Sequence, residues 1–198
     1  MTRSAKTVTA LRERPRDLVD VELDGGAWRT LPAGVVVRSG LLVGRALDRE
    51  TARTIARELR RARALGIAAS ALRHRDLSTQ RLGERLAARG VAAAARADAL
   101  TALEGSGVLD DSRAAEGRAR GLAHRGLGDG AIRFRLEQEG FAPEAVREAL
   151  ARLDPEAERA RALVERRGRG PATARWLAAR GFDEAVVEAA SGELAPGP

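Results

Sequence analysis

The chain has 198 residues, of which 44% are hydrophobic and 32% are charged, a composition typical of folded globular proteins that excludes a largely disordered chain. It has no cysteine, which excludes disulfide bonds and thiolate metal sites, and no apolar run approaches the roughly 20 residues that cross a membrane, so we expect a cytoplasmic protein without a membrane partner. The formal net charge of +7 favours a polyanionic or acidic partner, although all but one of the 35 lysine and arginine residues are arginine, which is also typical of a biased genomic base composition.

Residues 1–47 predict a small β-rich N-terminal module. Apolar and polar residues alternate in Val8–Leu11 and Leu18–Leu23, as expected of strands, and Asp24-Gly25-Gly26 supplies a turn before a third extended segment. The apolar run Val35–Leu42 fits either a strand or a short helix, because periodicity does not separate the two over so few residues.

From residue 48 onward the pattern predicts roughly eight or nine helices of modest length. Asp48 is the predicted N-cap of a long helix that runs toward His74, with Gly66 as a candidate break. The further predicted helix starts and ends are, in chain order, Ser78, Gly90, Asp110, Gly126, Gly140 and Gly181. The core of these helices is predicted to contain Phe134, Phe141, Trp176 and Phe182.

Three of the helix ends share the form Leu-x-x-x-Gly-apolar. Their glycines are Gly90, Gly140 and Gly181, with spacings of 50 residues (140 minus 90) and 41 residues (181 minus 140), close to those of helical repeat proteins. We expect each glycine to take the left-handed conformation while the next apolar side chain folds back on the helix. The predicted fold class is therefore an all-α repeat array, with three tandem three-helix repeats in a curved stack, behind the small β-containing module. The predicted boundaries of the repeats are 48–107, 108–154 and 155–198.

Residues suited to catalysis are sparse. His74 and His124 are predicted at helix ends, where an imidazolium interacts favourably with the helix dipole. The run Gly126–Gly130 is similar to a phosphate-binding loop, but it follows a helix instead of a strand and predicts a helix-to-helix turn. Asp110 and Asp111 are interpreted as helix caps, and the alternative is a carboxylate pair for acid/base work or Mg²⁺ binding. We therefore expect no enzyme activity, no metal and no cofactor.

Arginines are concentrated in two stretches, 113–135 and 159–180. Because stacked repeats place the same corner in successive copies, these arginines are predicted to line one groove and to bind an anionic partner. The predicted partner-binding residues are Arg120, Arg125, Arg133, Arg135, Arg166, Arg167, Arg169 and Arg175.

The segment Val108–Glu116 carries the most specific motif of the chain. It resembles the Leu-Asp-Asp-x-Arg signature of the RecX family, the bacterial regulators of the RecA recombinase, through Leu109, Asp110, Asp111 and Arg113. Segments in all three predicted repeats are similar to other patterns of that family, and they extend the resemblance over nearly the whole chain: 72–86, 126–136 and 176–182. The chain departs from the family pattern where Val108 replaces tyrosine, Ala114 replaces phenylalanine and Arg81 replaces glutamate.

The resemblance implies three three-helix repeats that bind in the groove of the RecA-DNA filament. It also implies that the protein restrains filament growth, strand exchange and ATP hydrolysis without catalysis of its own. We further expect a monomer whose direct contact with single- or double-stranded DNA is weak. Two alternatives stay open: a sequence-independent nucleic-acid-binding module whose arginines contact phosphate, and a metal-dependent hydrolase that uses Asp110 and Asp111.

Overall fold

The computed structural model describes residues 5–73 and 75–191. Over these ranges the chain is mostly helical, with ten helices and a small N-terminal antiparallel sheet, so the predicted fold class is confirmed at that level. His74 lies outside the described residues. No helix in the described ranges combines the length and the apolar character that crossing a membrane requires.

The N-terminal sheet has four strands in the order β3-β2-β1-β4, with antiparallel neighbours throughout. The strands are β1 (Lys6–Arg14), β2 (Leu18–Leu23), β3 (Gly26–Pro32) and β4 (Ala46–Leu47). The predicted turn joins β2 to β3, where Asp24 and Gly25 both have positive φ, as a tight hairpin turn requires. The two-residue β4 was not predicted, since it is too short to show a period.

The ambiguous run after the sheet is helical, as α1 (Ala33–Ser39). Its Val35 and Val36 pack under the sheet with Val21 and Leu31, and the same core includes Ile55 from the first long helix. The sheet and the start of that helix therefore share one apolar core.

Nine further helices follow in the described ranges. They are α2 (Arg49–Leu72), α3 (Thr79–Ala88), α4 (Ala93–Gly105), α5 (Asp111–His124), α6 (Asp129–Gln138), α7 (Pro143–Ala151), α8 (Glu156–Arg167), α9 (Pro171–Ala178) and α10 (Glu184–Ser191). The predicted N-caps are confirmed, because the Asp48 carboxylate accepts a hydrogen bond from the Thr51 backbone N–H at 2.7 Å and the Ser78 hydroxyl accepts one from that of Arg81 at 3.1 Å.

The candidate break at Gly66 is wrong, since α2 continues through this residue to Leu72. Ala64 and Ala68 on either side are both fully buried. One glycine in a helix costs only about 1 kcal/mol relative to alanine, and burial of the neighbouring turns offsets that cost.

The chain divides into two compact units. One contains residues 1–74 and 83–102, and the other contains 75–82 and 103–198. Within the second unit, α5, α6 and α7 share a core that includes Ala119, Ile132 and Val146, while α8, α9 and α10 share another.

Of the four predicted core aromatic residues, two are buried, Trp176 is partly buried against the core of α8–α10, and one is exposed. Phe141 and Phe182 are 5% and 6% exposed, and each follows a corner glycine. The prediction for Phe134 is wrong, because its side chain is 63% exposed. On α6 the residues that face the core are Ile132 and Leu136, and Phe134 lies halfway between them on the opposite side of the helix.

Candidate partner-binding surface

The first aspartate of the Leu-Asp-Asp-x-Arg motif caps its own helix. Asp110 accepts a hydrogen bond from the Arg113 backbone N–H at 2.9 Å and is the N-cap of α5. The Arg113 guanidinium lies 3.9 Å from the Asp110 carboxylate and donates to the Gly107 carbonyl at 3.0 Å. With Leu109 buried beneath, the motif fixes how the chain enters α5.

The second aspartate caps a different helix. Asp111 accepts hydrogen bonds from the Thr79 backbone N–H at 2.8 Å and from the Thr79 hydroxyl at 3.0 Å, at the start of α3. Glu156, the first residue of α8, does the same for α6 by accepting from the Asp129 backbone N–H at 2.5 Å. The interpretation of Asp110 and Asp111 as caps is therefore confirmed, but the helix that Asp111 caps lies 32 residues away in the sequence and was not predicted.

The glycine-rich run is a helix-to-helix turn between α5 and α6, as predicted. Its backbone N–H groups do not face solvent, because Gly128 donates to the Arg180 carbonyl at 2.9 Å and Gly130 donates to the Gly181 carbonyl at 3.0 Å. A Cβ on Gly128 would overlap the backbone of Gly181 and Phe182. The glycines of this turn thus serve close packing against the corner that follows α9.

A second joint of the same kind connects the corner after α6 to the start of α3. The Ser78 hydroxyl donates to the Glu139 carbonyl at 2.6 Å, beside Gly140. The Glu139 carboxylate in turn accepts three hydrogen bonds from the Arg118 guanidinium, at 3.0, 2.8 and 2.5 Å. These hydrogen bonds raise the pKa of Arg118 above its ordinary value.

All eight predicted partner-binding arginines are exposed, and the structure brings four of them together on one surface. Arg120 and Arg166 line a cleft of about 470 Å³ between α5 and α8, the α5–α8 cleft. Arg120 lies 3.7 Å from Glu116, whose carboxylate also pairs with Arg152 at the edge of the same cleft. In the described ranges no ion pair includes the guanidinium of Arg166.

The other two predicted arginines of this surface are Arg167, which contacts Trp176, and Arg125, which lies beside that contact. Arg167 lies over the indole ring at 4.1 Å from its centroid, and Arg180 lies over it at 4.5 Å. Arg180 also donates to the Arg125 carbonyl at 3.2 Å, which places Arg125 beside this cluster. Because Leu163 both lines the α5–α8 cleft and lies near Gly126 together with Trp176, the cluster adjoins the cleft.

We refer to the α5–α8 cleft and the residues around Trp176 as the basic joint surface. Three of its cations were not among the predicted residues: Arg152, Arg159 and Arg180. Arg159 is hard to identify from sequence because only 12% of its side chain is exposed, and it donates to the Leu127 carbonyl at 2.9 Å and to Asp129. His124 lies at the end of α5 as predicted, and it also lines the cleft.

The remaining predicted arginines are exposed, but in the described part of the chain no ion pair, side-chain hydrogen bond or cation–π contact joins their guanidinium groups to the basic joint surface. Arg133 and Arg135 flank Phe134 on α6, and Arg175 is on α9. Arg169 lies between Gly168 and Gly170, both at positive φ, in the loop from α8 to α9. A single groove that contains all eight arginines therefore stays a prediction.

No protein-family model matches the chain. Among curated proteins, the chain is 37% identical over 139 residues to a regulatory protein RecX of Xanthomonas oryzae pv. oryzae, a match that covers 65% of this chain and 84% of that protein. It is 40% identical over 121 residues to the regulatory protein RecX of Chromohalobacter salexigens, which covers 57% of this chain and 80% of that protein.

Solved structures are similar over an even larger part of the chain. A crystal structure of a regulatory protein RecX matches with a TM-score of 0.80 and 21% identity, over 95% of this chain and all of that one (100%). The crystal structure of RecX from Lactobacillus salivarius matches with a TM-score of 0.59 and 14% identity, over 66% of this chain and 94% of that one. At these identities the likeness shows a shared fold.

Proposed function

The chain belongs to the RecX family of regulatory proteins, and we propose that it binds the filament that the RecA recombinase forms on DNA and restrains its growth, its strand exchange and its ATP hydrolysis. The observation that carries this proposal is the basic joint surface, where exposed arginines of α5 and α8 surround one cleft. A surface of this charge steers the approach of an anionic filament and favours its binding. Such a role would place the protein in the cytoplasm.

The proposal includes three three-helix repeats, α2–α4, α5–α7 and α8–α10, within the predicted boundaries 48–107, 108–154 and 155–198. The support is that two joints are built alike. In both, the glycine corner of one predicted repeat lies against the start of the second helix of the preceding repeat. A carboxylate at the start of the first helix of the later repeat caps that same second helix. Gly140 and Gly181 are the corner residues, and Asp111 and Glu156 supply the carboxylates.

We propose a role that involves no catalysis. The two adjacent carboxylates that an acid/base or metal mechanism would use are Asp110 and Asp111, and both accept hydrogen bonds from helix N-termini. A carboxylate in that position is held by the fold and complements the positive end of the helix. Replacing both with asparagine is expected to lower the melting temperature, and a measurable turnover that this double variant abolishes would contradict the proposal.

The second candidate is a nucleic-acid-binding module that uses its arginines on phosphate in the absence of RecA. Arg166 and His124 favour it, because both line the α5–α8 cleft and the side chain of neither makes an ion pair or hydrogen bond with the residues that the structure describes. In the leading proposal direct DNA contact is weak, and the protein acts as a monomer. Tight DNA binding with a steep salt dependence, combined with no effect on RecA, would favour the second candidate.

The experiment measures inhibition of the DNA-dependent ATPase of RecA over a series of salt concentrations. The test variant is Arg120→Glu with Arg166→Glu, which reverses two charges at the α5–α8 cleft. We expect the concentration for half-inhibition to rise roughly tenfold at low salt and the salt dependence to flatten, because fewer anionic groups are neutralised.

The matched control is Arg53→Glu with Arg60→Glu. These arginines are exposed on α2, and the charge change is the same. We expect this control to inhibit nearly as well as the unmodified chain, and circular dichroism should show unchanged helix content in both variants. Full inhibition by the folded Arg120→Glu, Arg166→Glu variant at every salt concentration would remove the basic joint surface from the proposal.

A further inference from the structure

Phe134 is the most exposed aromatic side chain in the described part of the chain. It is 63% exposed, whereas Trp28 is 36% exposed and Phe141 and Phe182 are buried. Trp176 is covered on its ring by Arg167 and Arg180. Phe134 therefore contributes little to the core of α6, which is supplied by Ile132 and Leu136.

The residues next to Phe134 are arginines that the fold does not use. Arg133 and Arg135 are both exposed, and over residues 5–73 and 75–191 neither makes an ion pair or a hydrogen bond with a side chain. Because successive helical residues differ by about 100° in direction, the two guanidinium groups project on either side of the phenyl ring. The result is an apolar centre with a free cation on each flank.

This arrangement has the composition of a protein interface. Aromatic residues and arginine are enriched among the interface residues that contribute most of the binding energy. In such interfaces an apolar side chain enters a pocket on the partner and polar or charged groups form the rim. A surface for single-stranded nucleic acid would instead present several aromatic rings to successive bases. Here the remaining aromatic side chains on α9 and at the two corners are buried or covered by arginine, so the composition favours a protein.

We propose that Phe134 is the apolar anchor of a docking surface for an acidic protein partner, with Arg133 and Arg135 paired to carboxylates at its rim. The inference rests on the proposed function, in which that partner is the recombinase of the filament. It adds a contact that salt does not screen to the contribution of the basic joint surface, which falls as ionic strength rises.

The test compares Phe134→Ala with Arg133→Gln, Arg135→Gln in the recombinase ATPase assay. We expect Phe134→Ala to raise the concentration for half-inhibition about tenfold or more, and by the same factor at low and high salt, because burial of an apolar side chain is not electrostatic. The arginine variant is expected to lose inhibition chiefly at low salt. Phe134→Leu should restore most of the activity that Phe134→Ala loses.

The matched control is Val37→Ala, which removes an apolar side chain on α1 that is 77% exposed. It should inhibit like the unmodified chain, and neither this variant nor Phe134→Ala should lower the melting temperature. If the unmodified chain inhibits and Phe134→Ala inhibits equally well, the anchor is overturned while the proposed function stands. If the unmodified chain neither binds nor inhibits the filament, both are overturned.

Two further measurements distinguish the proposed protein partner from two other possible ligands of this surface, a nucleic acid and a second copy of the chain. Binding to a fluorescent single-stranded oligonucleotide in the absence of recombinase should be the same for Phe134→Ala and the unmodified chain, and a loss there would assign the ring to nucleic acid and overturn the proposal. Sedimentation velocity should show a monomer for both. Concentration-dependent self-association that Phe134→Ala abolishes, with inhibition unchanged, would assign the surface to a second copy of the chain and would also overturn it.

Discussion

The glycine corners after α6 and α9 have the same sequence motif and nearly the same backbone, but their surroundings differ. Gly140 has φ of 80° and Gly181 has φ of 77°. A Cβ on Gly140 would lie 3.1 to 3.2 Å from side-chain atoms of Ser78 and Gln80. A Cβ on Gly181 would lie 2.5 Å from the backbone nitrogen of Ala131. One corner is therefore lined by side-chain atoms at tight contact distance, and the other by backbone atoms at a distance that a Cβ would overlap.

The difference comes from the helix that each corner contacts. At the start of α6, Gly128 and Gly130 have no side chains, so their backbone N–H groups reach the carbonyls of Arg180 and Gly181 directly. At the start of α3 the same bridging role belongs to the hydroxyl of Ser78, which reaches the Glu139 carbonyl. The motif thus specifies the turn, while the residues at the start of the helix that the corner contacts determine how closely the two pack.

The largest expected effect is that of Gly181→Ala. The substitution combines a left-handed backbone with overlap against Ala131, and we expect a loss of roughly 2 to 5 kcal/mol in the free energy of unfolding. Gly128→Ala separates backbone strain from steric overlap, because Gly128 has an ordinary φ of −79°. Its loss of stability should therefore come from overlap alone. Denaturant unfolding followed by circular dichroism measures both. A Gly181→Ala variant as stable as the unmodified chain would show that the joint can open without cost.

The next effect is that of Gly140→Val. A β-branched residue at positive φ is strained, but the Cβ would meet only side-chain atoms, at 3.1 to 3.2 Å, so we expect a loss of about 1 to 3 kcal/mol. Gly140→Ala provides the direct comparison with Gly181→Ala, and it should lower the free energy of unfolding by less than Gly181→Ala does. Equal losses for the two alanine variants would mean that the backbone conformation alone decides the effect, and that the difference between the corners is unimportant.

A smaller effect is expected at Gly90, which follows α3. Its φ is 71°, yet a Cβ there would meet no atom within 4 Å. Gly90→Ala should therefore show the strain of the left-handed conformation by itself, roughly 1 to 2 kcal/mol. A larger loss in thermal unfolding than that of Gly140→Ala would reverse the proposed order of the corners.

The sequence predicted the features that depend on local chemistry. Gly90, Gly140 and Gly181 were identified as left-handed corners, since a glycine after a helical apolar residue is a strong local signal. Asp110 was identified as a cap because an aspartate before a helical run is also a strong local signal. The family was also identified from short motifs, the Leu-Asp-Asp-x-Arg segment and similar patterns in the other predicted repeats.

Features that depend on tertiary contacts were not predicted. The helix that Asp111 caps and the carbonyls that the Gly126–Gly130 turn binds lie tens of residues away in the sequence, where no periodicity relates them. Phe134 was assigned to a core position of its helix, but the residues that face the core are Ile132 and Leu136. Arg159 and Arg180 lie within a predicted arginine stretch but were not selected as partner-binding residues, because the sequence does not show that Arg159 lines the cleft or that Arg180 covers Trp176.

The last expected effect has the opposite sign and concerns glycines that form neither a corner nor a joint. Gly66 lies within α2, is exposed, and would place a Cβ where no atom lies within 4 Å. Alanine restricts the unfolded chain more than glycine does, so Gly66→Ala should stabilise the protein by about 0.5 to 1 kcal/mol and raise the melting temperature. Gly121→Ala on α5 is a matched variant with the same surroundings and should do the same. A fall in the melting temperature of both variants would mean that replacing glycine by alanine destabilises helix interiors as well as corners. The losses at the corners could then not be assigned to the left-handed conformation or to the close packing.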